Sequence, residues 1–166
     1  MVAPHRILAL ALLACTLPAQ TVKVRLAGEG IVPVDLEDYV AWVLAGEAGG
    51  MKSIEALKAM AITIRTYARA NLRRHFREGF DFCETTHCQD ARPKTVTARL
   101  RDAVNQTAGA ILWSNNRPAL VFYTGHCAGH TAAAGEIWPN ARRPYLPSID
   151  DSFCLSAGRN TWNAKL

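Results

Sequence analysis

From Ser53 to Glu78 the chain contains no Gly or Pro, and its apolar residues recur at helical spacing: Ile54, Leu57, Ala61, Ile64, Ala68 and Leu72. Ser53 stands ahead of the first of them as an N-cap. The spacing predicts one helix of about 24 residues, about 36 Å long at 1.5 Å per residue. No other stretch of the chain is as strongly patterned, so the remaining elements have to pack around this one.

Those elements are short. Thr21 to Leu26 alternates Val22, Val24 and Leu26 against Thr21, Lys23 and Arg25, the pattern of a half-buried strand. After a turn at Gly28 and Gly30, Ile31 to Val34 reads as a second strand. Asp35 then caps a helix through Leu36, Val40, Val43 and Leu44 that gives way to a loop, Gly46 to Gly50. Beyond the long helix, Thr95 or Thr97 caps a helix with Leu100, Ala103 and Val104 on one side and Gly109 as its stop. Ile111–Trp113 and Ala119–Tyr123 read as strands of a β-hairpin around Asn115-Asn116. The sum is α+β: a single compact domain with a long central helix, with or without a small second lobe.

Composition narrows the function classes. Of the 166 residues 49% are hydrophobic and 20% charged, the balance of a packed globule, which excludes disorder for most of the chain. Nineteen Lys and Arg against 14 Asp and Glu favour an anionic partner without selecting one. Residues 1–19 have a basic start at His5 and Arg6 and an apolar run from Ile7 to Leu17, a secretory signal too short to span a bilayer. Cleavage falls after Ala19, or else before Cys15, where Leu12-Leu13-Ala14-Cys15 is similar to a lipobox and would supply a lipid anchor. The domain then occupies 20–166, exported to the periplasm or the exterior, with no transmembrane span.

Several residues could carry chemistry. Glu47 is a lone acid among Ala45, Gly46, Ala48, Gly49 and Gly50. Small neighbours let a bulky ligand reach its carboxylate, as a general acid requires, although a solvated loop glutamate looks the same. Lys58 and Arg65 lie seven apart on one face of the long helix, either lining an anion-reading groove or snorkelling beside the core. Cys83-Glu84-Thr85-Thr86-His87-Cys88-Gln89 sets Cys and His at a spacing that can share tetrahedral zinc. Cys83, His87 and Cys88 are all candidates at that spacing, as is Cys127 between His126 and His130. Disulfides compete: Cys83, Cys88, Cys127 and Cys154 allow three connectivities, and spacing does not choose among them. Tyr123 leaves the hairpin into a small-residue loop, Gly125 to Thr131, as groove or core tyrosines both do.

Taken in order, these segments resemble the SpoIID family. Leu36-Glu37-Asp38-Tyr39-Val40 followed by Val43 to Glu47 is similar to its start. Glu55 to Ala61 and Arg65 to Ala68 resemble its long helix, and Cys83 to Gln89 its Cys-x-x-Thr-His-Cys-Gln loop. Gly109 with Ile111-Leu112, and Tyr123 to Thr131, resemble its hairpin and Gly-Gly-x-Thr loop. The resemblance implies a lytic transglycosylase acting on peptidoglycan glycan strands at the MurNAc–GlcNAc bond and leaving 1,6-anhydro-MurNAc. Glu47 would be catalytic, Lys58, Arg65 and Tyr123 would bind substrate, and zinc, on Cys83 and His87, would be structural. No cofactor takes part in the chemistry. Two departures bear on this. Gly129-His130 stands where relatives carry Gly-Gly, and the sequence stops at Leu166, just after Trp162, where longer relatives continue. A wall of the groove is then missing or comes from an activating protein partner.

One acid suffices for that reaction, whereas ordinary glycosidases use two. The cations would suit the lactyl carboxylate of muramic acid, above all on denuded glycan. A non-catalytic peptidoglycan-binding protein is the alternative. A nucleic-acid binder is a further class, suggested by charge alone; the signal sequence and the lack of interleaved aromatic and basic residues argue against it.

Overall fold

The computed structural model describes residues 20–48 and 50–156. The expected leader 1–19, the Cys15 anchor and Trp162 lie outside the described residues. Among the described residues no helix is long and apolar enough to cross a membrane.

The alternation in the first segment does form a strand. β1 (Thr21–Leu26) buries Val22, Val24 and Leu26 and exposes the residues between, and it pairs antiparallel with β2 (Gly30–Asp35). Asp35 caps α1 (Leu36–Glu47), its carboxylate accepting from the Glu37 amide at 2.8 Å. The helix runs further than the glycines predict, and Glu47 is its last residue. A third strand, β3 (Phe82–Cys83), which the sequence pattern does not signal, lies parallel to β1 on its other edge.

α2 (Ile54–Ala70) has 17 residues, not about 24. The Asn71 side chain bonds the Tyr67 carbonyl at 2.9 Å, closing the helix with its own amide. The Asp81 carboxylate then accepts from the backbone amides of Arg73 and Lys23, at 2.9 and 2.8 Å. A tertiary anchor thus turns the chain away where local propensity would have continued the helix. Arg73 takes up the turn at φ 64.

α3 (Ala98–Asn105), capped by Thr97, completes a layer of three mutually packed helices over the sheet. One apolar cluster unites them, from Val22 to Val104, with Tyr39 stacked on Phe82 at 4.9 Å between ring centres.

Residues 113–156 are built differently. β4 (Trp113–Ser114) and β5 (Arg117–Pro118) form the expected hairpin, and Asn115 and Asn116 both take positive φ, as a tight two-residue turn requires. The ladder is short, and Ala119–Tyr123 is not a strand. β6 (His130–Thr131) pairs with β7 (Ile149–Asp150), flanking α4 (Ala134–Ile137) and followed by α5 (Ser152–Ser156). The architecture is α+β, as expected.

Candidate active site and metal centre

Glu47 sits at the C-terminal end of α1, facing the loop that leaves β3. Its Oε1 accepts from the Asp90 amide at 3.0 Å, and the Arg92 amide donates to the Trp42 carbonyl at 2.9 Å. Gly46 permits this approach: a Cβ there would lie 2.0 Å from the Asp90 carbonyl oxygen. At least this glycine of the small-residue run serves the packing of the 84–92 loop on α1 rather than the approach of a ligand.

Tyr123 arrives at the same point from the second half of the chain. Gln89, 1% exposed, accepts from the Tyr39 hydroxyl at 3.3 Å and donates from Nε2 to the Tyr123 hydroxyl at 3.4 Å. Tyr123 also lies near enough to Glu47 to feel its charge. Burial pushes the Tyr123 hydroxyl up, the Glu47 charge adds to this, and the result is about 12 despite the Gln89 bond. Tyr123 therefore stays protonated and available as a donor. Burial holds Tyr39 further still in the same direction. The hydrogen-bonded chain Tyr39–Gln89–Tyr123 reaches from the core to the neighbourhood of Glu47. Gln89 is a site residue that the sequence reading passed over, although it closes the Cys83–Gln89 segment.

Asp90 and Arg92 join the group. The Arg92 guanidinium grips the Asp90 carboxylate at 2.6 and 3.2 Å, and the charges of Asp90 and Glu47 both raise its pKa after the direct hydrogen bond to Asp90. A second acid is thus folded next to Glu47, though sequence shows none beside it. Its carboxylate is tied to Arg92. From Tyr123 a cavity of about 420 Å³ extends along Phe122, His126, Thr131, Trp138 and Tyr145.

The two helix cations part company. Lys58 is half-buried and pairs with Glu55 at 2.9 Å. Arg65 is fully buried, which corrects the expectation that it lines a groove. Its guanidinium meets Glu37 at 2.6, 2.9 and 3.1 Å and donates to the carbonyls of Ala110 at 2.9 Å and Val104 at 3.4 Å. Glu37 also accepts from the Gly109 amide at 3.1 Å. Arg65 joins α1, α2 and the end of α3, and its donors face the interior.

The Cys83–Cys88 loop gathers four metal-binding side chains: His75, Cys83, His87 and Cys88, all ligand atoms within 4.8 Å of one another. Separations are 3.4 Å between the sulfurs, 3.3 Å from His75 Nε2 to Cys88, and 3.7 and 3.8 Å from His87 Nδ1 to Cys83 and Cys88. A tetrahedral zinc with sulfur and nitrogen ligands at ordinary lengths has edges of roughly 3.3–3.8 Å, so the donor set and spacing fit. His75 Nδ1 lies 2.7 Å from the Glu78 carboxylate, the outer contact that orients a ligating imidazole. Burial would push the Cys83 thiol up, but bonds from Thr85, His87 and Cys88 outweigh it and hold it down to about 6. Burial first, then the neighbouring Cys83 sulfur, push Cys88 up to about 11. His75 is absent from the sequence reading because it falls where the helix was expected to continue. Cys127, an alternative ligand, belongs elsewhere: it groups with Asp151 and Cys154.

Comparisons with known proteins agree with this architecture. A family model, the stage II sporulation protein SpoIID, matches residues 28–113. An uncharacterised protein of Brachyspira hyodysenteriae is 30% identical over 123 residues, covering 73% of this chain and 33% of that protein. Stage II sporulation protein D of Bacillus subtilis is 30% identical over 153 residues, covering 81% of this chain and 44% of the relative. The amidase enhancer of Bacillus subtilis is 29% identical over 110 residues, covering 66% and 15%. The chain thus spans less than half the length of these curated relatives, and it belongs to the SpoIID family of stage II sporulation proteins.

Proposed function

We propose that this protein acts at the cell wall as a lytic transglycosylase on peptidoglycan glycan strands, with Glu47 as the acid and base. One observation carries the reading: a carboxylate at a helix end, held by the Asp90 amide and close to Tyr123, which lines the adjoining cavity. Such a group is held at a fixed position against whatever enters, the geometric condition for proton transfer. In the reaction, Glu47 protonates the glycosidic oxygen as the bond to C1 breaks. The resulting carboxylate then takes the proton of the sugar's 6-hydroxyl, whose oxygen closes onto C1. The product is the 1,6-anhydro end, no water is consumed, and Glu47 regains its proton. Tyr123, a protonated donor, orients the carboxylate between the two steps. Zinc on His75, Cys83, His87 and Cys88 would be structural, tying the 71–78 segment to the loop that carries Gln89 and Asp90.

A second reading is favoured by the same Asp90 contact. Glu47 docks the 84–92 loop, so it could serve the fold alone, in a protein that binds glycan without cleaving it. Glu47→Gln separates the two, because the amide oxygen can still accept from Asp90 while the transferable proton is gone. On denuded glycan strands the variant should lose about 10²- to 10⁴-fold in rate, about 3–5 kcal/mol of barrier, with glycan binding retained. Products are read by mass for the anhydro end, one water below the hydrolytic product. Equal rates in both proteins would remove Glu47 from the chemistry, and no cleavage by either would favour the binding protein.

A further inference from the structure

The second cysteine cluster lies at the far end of residues 113–156. Cys127 precedes β6 and Cys154 follows β7, and the two strands pair His130 with Asp150 and Thr131 with Ile149. The Asp151 amide extends the ladder to the Gly129 carbonyl at 2.9 Å. The two cysteines therefore come level just beyond the end of the paired segment. Both thiols are half-exposed and both donate to the same Asp151 oxygen, at 3.5 Å from Cys127 and 3.4 Å from Cys154. Their sulfurs lie within 4.8 Å of each other.

A metal is less well served here than at the first cluster. The nearby imidazole, His126, is engaged on both nitrogens by backbone: Nε2 with the Cys154 carbonyl at 3.0 Å and Nδ1 accepting from the Ala128 amide at 3.1 Å. His130 is turned to Asp150 at 2.8 Å. Two sulfurs and one carboxylate remain.

We propose that Cys127 and Cys154 form a disulfide in the exported protein, while Cys83 and Cys88 stay reduced on their metal; the pairing rests on the expected export and not on the glycan-cleaving reading. A two-strand ladder this short is marginal in water by itself. The bond would close it covalently and hold the wall of the cavity that Cys127, His130, Thr131 and Ile149 line. The chemistry is thiol–disulfide exchange with a disulfide-bearing oxidant. One cysteine thiolate attacks a sulfur of the oxidant, expelling its partner sulfur as a thiolate that is then protonated. The second cysteine thiolate attacks the mixed disulfide, forming the Cys127–Cys154 bond and expelling the other oxidant sulfur. The protein loses two electrons and two protons, and the oxidant is reduced to two thiols.

The test uses the full chain loaded with zinc and equilibrated across a series of oxidised and reduced glutathione, so that its outcome does not depend on where the protein is found. Free thiols are trapped with N-ethylmaleimide, and peptides carrying each cysteine are mapped without reduction. The expected result is a Cys127–Cys154 link in the oxidising half of the series, with Cys83 and Cys88 unlinked. In oxidised protein Cys127→Ser, Cys154→Ser and the double variant should lower the thermal midpoint by the same amount, because each removes one and the same bond. Maleimide on both cysteines throughout the series would overturn the proposal. So would a link from either to Cys83 or Cys88, or a second equivalent of zinc that Cys127→Ser abolishes.

Discussion

The two halves of the described chain are stabilised by different means. Up to Val104 the chain encloses one apolar cluster, with an ion pair of buried Arg65 and half-buried Glu37 joining its helices. From residue 113 on, buried apolar residues are few and small, while Trp113, Phe122, Ile137, Trp138, Tyr145 and Ile149 stay exposed. The cysteine clusters divide along the same line. The first is buried except at His87, rich in imidazole and backed by Glu78. The second is half-exposed and shares a single carboxylate. Glu47 comes from the packed half and Tyr123 from the open one, and Gln89 ties Tyr123 back to Tyr39 in the core. A carboxylate from the packed half thus faces a wall with little buried apolar support.

The largest effect should come from the ion pair of Arg65 with Glu37. Arg65→Ala removes the guanidinium from Glu37, which keeps the Gly109 amide, and from the carbonyls of Val104 and Ala110. Breaking a buried pair on one side costs about 3–5 kcal/mol, and Glu37, 29% exposed, puts this one at the low end. Urea unfolding should show that loss, and Arg65→Lys should recover little of it, since an ammonium cannot span three acceptors. An unchanged midpoint would mean that the guanidinium is dispensable to the fold and available to ligand after all.

Glu78→Gln sharpens the contrast between the two clusters. Glu78 holds His75 without entering the ligand set, so zinc should still bind but about 10–100-fold more weakly. Competition with a chelator measures it. Zinc affinity unmoved by the change would place His75 outside the site and leave the ligands named by sequence alone.

How far the sequence reaches follows the same division. β1, β2, α1 and the turn at Asn115-Asn116 are readable because their causes are local: alternation, an Asp cap, two residues that tolerate positive φ. The end of α2 is not, because Asp81, which also binds the Lys23 amide of β1, captures the Arg73 amide. That early stop is also what brings His75 to Cys88, so the helix error and the missing ligand share one cause. Ala119–Tyr123 has strand-forming residues but forms no strand. Cys83, His87, Cys88, Glu47 and Tyr123 could be named from sequence. Gln89 and Arg92 could not, since their roles exist only once the loop lies on α1. Arg65 and Lys58 share a helix face, yet Arg65 lies against Glu37 and the end of α3 and is buried, while Lys58, nearer the start of α2, stays at the surface.

Lys58 should give the smallest effect. Its ammonium meets Glu55 in a helix pair of the i,i+3 type, with Glu55 74% exposed. Such a pair contributes about 0.2–1 kcal/mol at most, so Lys58→Gln should hardly move the unfolding midpoint. If Lys58 serves an anionic glycan, it need only exchange one carboxylate for another, and the variant should raise KM severalfold with little change in kcat. An exposed charge is screened over about 10 Å at 0.1 M salt, so the difference between wild type and variant should shrink as salt is added. A KM difference that persists in high salt would point to a direct, desolvated contact. A KM identical in both proteins at low salt would leave Lys58 as a surface residue of α2, and Arg92 as the cation nearest Glu47 to test next.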